Sequence, residues 1–121
     1  MTRRRAAIAL LLASLLAVGA RADELSFEMR IVRGHLPEAK RLVRVKQGDV
    51  VRFRWRTDQP GELHIHGYDI ERKLVPGTVA EVTITARATG RFPIHLHGMP
   101  GSTGGQAHDE ATLATLEVYP R

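Results

Sequence analysis

From Leu25 to Val118 the chain alternates apolar and polar residues with a period of two. Successive side chains of a β-strand point to opposite faces, so this pattern builds strands with one buried face, whereas a helix would repeat its apolar residues every three or four. Leu25, Phe27, Met29 and Ile31 share one face, with Ser26, Glu28 and Arg30 on the other. Leu42, Val43 and Val45 make a short strand, and Val51, Phe53 and Trp55 oppose Arg52, Arg54 and Arg56. Further strands run through Leu63–His66, through Ala80, Val82, Ile84 and Ala86, through Arg91–His97, and through Thr112, Ala114, Leu116 and Val118. Turn residues punctuate them at Gly34, Gln47-Gly48-Asp49, Asp58-Gln59-Pro60-Gly61, Gly67-Tyr68-Asp69, Pro76-Gly77 and Thr89-Gly90. About seven strands with tight turns predict an all-β sandwich of two sheets. Met29 belongs to its core, and the arginine face reads as a solvated surface.

Residues 1–22 read as a secretory leader. Met1-Thr2-Arg3-Arg4-Arg5 is a basic start, Ala6 to Val18 an apolar run, and Ala20-Arg21-Ala22 a cleavage site. The run is too short for a membrane span, which needs roughly 20 residues. The expected products are a signal peptide of residues 1–22 and a domain of residues 23–121, exported to the periplasm, with no membrane span after cleavage. Four of the 18 basic residues leave with the leader and none of the 13 acids does, so the domain is nearly neutral. That excludes a nucleic-acid partner, which needs clustered cations against phosphates. The chain has no cysteine, which excludes disulfides, thiolate nucleophiles, iron–sulfur clusters and a blue-copper thiolate site.

The chemistry that remains is that of histidine. Four of the six histidines stand in two copies of one pattern, His64-Ile65-His66-Gly67 and His95-Leu96-His97-Gly98. On a strand, i and i+2 share a face, so each copy offers two imidazoles to one side while Ile65 and Leu96 turn to the other. Two such strands brought together supply four nitrogens, a donor set that suits copper(II), with zinc as the alternative metal. Met99, a soft thioether, and His108 follow within a glycine-rich stretch and complete a candidate metal set of His64, His66, His95, His97, Met99 and His108. His35 stands alone and reads as an ordinary polar residue, and Asp69 is a candidate to orient a histidine. Ser102 and Thr103 lack the strand–turn–helix setting of a nucleophile, so no catalytic residue is assigned.

The chain resembles the cupredoxins over nearly all of residues 23–121. The resemblance is carried by Gln47-Gly48-Asp49-Val50-Val51-Arg52-Phe53-Arg54-Trp55, by Thr57-Asp58 leading to His66-Gly67-Tyr68, and by Pro76-Gly77. Gly90-Arg91-Phe92-Pro93-Ile94, Met99 and the closing Leu116-Glu117-Val118-Tyr119-Pro120 carry the rest. It implies a Greek-key β-sandwich, a first copper histidine at His66, and later ligands in the stretch holding Met99 and His108. The family's cysteine falls at Leu96, so the implied centre is non-blue and histidine-rich. Phe92-Pro93-Ile94-His95-Leu96-His97-Gly98 is similar to the His-Leu-His-Gly strand of multicopper oxidases, and Leu63–His66 with Tyr68-Asp69 to copper–zinc superoxide dismutase. The function implied is copper storage, delivery or homeostasis, with a periplasmic copper donor or acceptor protein as partner. Electron transfer at a modified site, or a small oxidase or dismutase, is the alternative.

Overall fold

The computed structural model describes residues 22–98 and 111–121. Residues 1–21, within the expected leader, lie outside them, as do Met99 and His108. Eight strands follow one another: β1 (Glu24–Ile31), β2 (Leu42–Lys46), β3 (Val50–Thr57), β4 (Gly61–Ile65), β5 (Ile70–Leu74), β6 (Ala80–Thr85), β7 (Gly90–Gly98) and β8 (Ala111–Tyr119). One 3-10 turn, Glu38–Lys40, precedes β2.

The strands form a sheet of three, ordered β1-β3-β6, and a sheet of five, ordered β2-β8-β7-β4-β5. β1 runs parallel to β3 and β2 to β8, and the other neighbours are antiparallel. The chain crosses between sheets after β1, β2, β3, β5 and β6, which gives a cupredoxin-like sandwich. The expected alternation closes the core. Met29, Ile31, Val51, Phe53 and Trp55 face Leu63, Ile65, Ile94 and Leu116, none more than 1% exposed. Phe27, Phe53 and Trp55 form an aromatic row, with ring centroids 5.8 and 5.5 Å apart.

Two sequence expectations need correction. β5 is an additional strand, because Ile70-Glu71-Arg72-Lys73-Leu74 shows no alternation. It pairs with β4 alone and buries only Leu74. An edge strand rich in charge resists pairing with other chains, and those same charges hide it from a periodicity reading. In β8, Thr112 is exposed while Leu113 and Ala114 are both buried. Ile94 pairs with Ala114 but His95 pairs with Thr112, so Leu113 is the extra residue of a β-bulge and reverses the phase of the strand.

The outer face of the three-stranded sheet is a charge ladder. Arg52 reaches Glu24 at 3.0 Å and Glu81 at 3.3 Å, and Arg54 reaches Glu28 at 3.1 Å. Arg56 lies opposite Arg30 in the register, and neither has an acidic partner among the described residues.

Candidate metal centre

β4 and β7 are direct antiparallel neighbours, so the two histidine pairs lie on adjoining strands. The register sets His64 opposite His95, Glu62 opposite His97, and Ile65 opposite Ile94. Because Leu63, Ile65 and Ile94 are buried, the four half-buried imidazoles stand on the outward face of the five-stranded sheet. Leu96 turns inward and packs against the core, at the position where the family resemblance would put a thiolate.

Pro93 explains why β4 stops where it does. The His66 N–H donates to the Pro93 carbonyl at 3.0 Å, and in an antiparallel ladder the reciprocal bond would run from residue 93 to the His66 carbonyl. Proline has no N–H, so the ladder ends at His66 and the chain turns. Gly67 makes that turn at φ +85°, and a Cβ there would overlap the ring of Phe92. Phe92 packs edge-on to Tyr68, with centroids 5.1 Å apart. Burial pushes the Tyr68 hydroxyl up, opposed by the backbone amide and the charge of Arg87. His66 is thus held between a ladder bond and a packed aromatic pair.

The rings form a row. His66 Nε2 lies 3.0 Å from His95 Nδ1, one ring donating and the other accepting according to tautomer. The His64 centroid is 4.1 Å from that of His66 and 6.2 Å from that of His97. Two imidazole nitrogens on one ion, each bonded at about 2.0–2.1 Å, stand about 2.9 Å apart at a right angle and about 3.4 Å apart at a tetrahedral one. The His66–His95 separation is that of an ordinary hydrogen bond, and a small shift of either ring would let both nitrogens reach one ion. Among the described residues no three His, Asp or Glu side chains already converge to hold a metal. His64 and His97 neighbour the pair without completing it.

Antiparallel pairing puts Gly67 and Gly98 at opposite ends of the β4–β7 pair, since Gly98 lies beside Gly61. Met99 and His108 fall outside the described residues. His35 is an exposed turn residue bridged to Val32, and Asp69 is exposed, at φ +54°. Two acids escaped the sequence reading. Glu62 is opposite His97, and Glu71 on β5 is opposite His64. Glu62 was within reach of the period-two rule, which puts it on the face of His64 and His66. Glu71 was not, because its place depends on the β4–β5 register.

No protein-family model and no curated protein matches the sequence. Solved structures do match in shape. A copper-containing nitrite reductase from Thermus scotoductus superposes with a TM-score of 0.59 at 21% identity, over 81% of this chain and 28% of its own. The apo form of a copper-binding protein gives 0.57 at 15% identity, over 83% of this chain and 99% of its own. The periplasmic domain of cytochrome oxidase subunit II from Bradyrhizobium japonicum gives 0.58 at 13% identity, over 78% and 83%. The chain spans less than a third of the nitrite reductase. At these identities the likeness defines the fold, and that fold is the cupredoxin-like β-sandwich in a chain without cysteine.

Proposed function

We propose that this is an exported copper-binding protein, in which the histidine row of β4 and β7 holds copper as cargo for storage, delivery or homeostasis. The observation that carries the reading is the 3.0 Å separation of His66 Nε2 and His95 Nδ1. It brings imidazole nitrogens of two neighbouring strands within reach of one ion, a donor type that suits copper and also zinc. His64 and His97 are the next donors, and Met99 and His108 the auxiliary ones. Bound copper would supply a one-electron couple, and the thioether of Met99 would favour its reduced form. The chain's own part is to present imidazoles on a sheet, with Pro93 and Phe92 fixing the turn that carries His66. The copper-binding protein and the oxidase domain that share the fold support copper as the metal, and the basic, apolar leader supports the periplasm as the compartment.

The test is electron paramagnetic resonance of the processed protein with one equivalent of copper(II). The expected spectrum is axial with nitrogen splitting, and it collapses in His66→Ala and in His95→Ala while His35→Ala leaves it unchanged. A wild-type spectrum of free copper, or one indifferent to His66 and His95, would sink the proposal.

A further inference from the structure

Asp49, in the turn between β2 and β3, is the one charged residue among the described residues that is buried, at 2% exposure. Its backbone is fully used, the N–H donating to the Lys46 carbonyl at 3.0 Å and the carbonyl accepting from Ala86 at 2.8 Å. Its carboxylate gathers donors from distant parts of the chain. Oδ2 accepts the Lys46 N–H at 2.8 Å, and Oδ1 accepts the Asp23 N–H at 3.0 Å together with the guanidinium of Arg121. Asp23 is fixed a second time, since its carbonyl accepts from the Val50 N–H at 2.9 Å. The nitrogen of Asp23 is therefore where the N-terminal segment is tied to the sandwich, and it belongs to the peptide bond at which the leader is expected to be cut.

Hydrolysis of the Ala22–Asp23 bond by water leaves a carboxylate on Ala22 and an amine on Asp23, which is protonated at neutral pH. The neutral N–H facing Asp49 then becomes an α-ammonium. The carboxylate already makes this a charge-assisted bond, and an ammonium donor adds a direct Coulomb attraction to it. We propose that Asp49 is a built receptor for the mature N-terminus, so that cleavage after Ala22 turns a hydrogen bond into an ion pair and makes the mature sandwich more stable than its precursor. The position of the cut matters. Cutting one residue earlier sets the charge on Ala22, beyond the bonded atom, and cutting one residue later removes the carbonyl that holds Val50. Arg121 shares Oδ1 with the new ammonium, and this repulsion limits the gain. A precursor with the weaker clasp stays easier to unfold until export is complete. The proposal depends on the leader reading and is independent of copper.

The experiment uses the full chain expressed for export, beside a version with Gly-Ser inserted between Ala22 and Asp23, each with and without Asp49→Asn. Intact mass gives the first residue of each product, and urea unfolding at pH 7 gives stability. With Asp23 as the first residue, the folding equilibrium constant should exceed that of the Gly-Ser form by roughly three- to tenfold. Asp49→Asn should erase the difference. If Asp49→Asn does not fold, Arg121→Gln replaces it, and there the difference should persist or grow. Equal stability of the two products, or a difference that survives in Asp49→Asn, would overturn the proposal. A first residue other than Asp23 would instead overturn the leader reading on which it rests.

Discussion

Gly67 holds a backbone conformation that other residues adopt only with strain, and the ring of Phe92 fills the space where a Cβ would go. Gly67→Ala is expected to destabilise the protein by about 1–3 kcal/mol in urea unfolding. It should also weaken copper binding, because His66 is the residue immediately before the displaced turn. Asp49 carries a second residue-scale prediction. Burial raises its pKa, but the backbone amides of Lys46 and Asp23 and the charge of Arg121 outweigh burial and hold the carboxyl below its usual value. A pKa depressed in the folded state contributes stability that is fully present above the ordinary aspartate value, about 3.9, and is lost as pH falls through the folded one. Asp49→Asn should therefore be less stable at neutral pH by about 1–3 kcal/mol. Its stability should fall less steeply than the wild type's below pH ~4, a comparison that acid titration followed by circular dichroism makes directly.

At the scale of elements, the three-stranded sheet shows what paired and unpaired charges do. Arg52 and Arg54 each face glutamates across the strands, whereas Arg30 faces Arg56. Like charges directly opposite destabilise a sheet, so Arg56→Glu should raise stability by roughly 0.2–1 kcal/mol at low salt and by less at high salt. In the other sheet, β5 protects an edge with Glu71, Arg72 and Lys73. Replacing Arg72 and Lys73 by valine is expected to produce dimers or larger species in sedimentation, because the edge then offers free backbone groups without charge. The bulge at Leu113 lies against His95, on the strand that carries half of the imidazole row.

For the whole molecule, the sandwich supplies a rigid wall and the histidine row is written on its outer surface. A ligand that binds only the folded state adds stability by mass action, so copper(II) at one hundred times its dissociation constant should add about 2.7 kcal/mol. The midpoint of thermal unfolding should rise accordingly in the wild type and stay unchanged by copper in His66→Ala. A rise that His66→Ala shares would mean that copper binds elsewhere on the chain.

Most of this architecture was legible before any fold was known. Alternation marked out seven strands and named the inward faces of β1, β3 and β6, since a side chain's face on a strand is a local property of the backbone, and the same rule showed that His64 shares a face with His66 and His95 with His97. The eighth strand stayed hidden because β5 is an edge whose residues are mostly solvated, and Thr112 was misassigned because a bulge resets the period without leaving a mark in the residue types. The sequence also gave no means of knowing that β4 and β7 are neighbours, that their registry sets His64 across from His95, or that Glu62 and Glu71 flank the row. Composition and spacing determined the donor atoms and the faces they occupy. Which imidazole meets which was decided by strand pairing, because hydrogen bonds between residues far apart in the chain fix distances that no local pattern encodes.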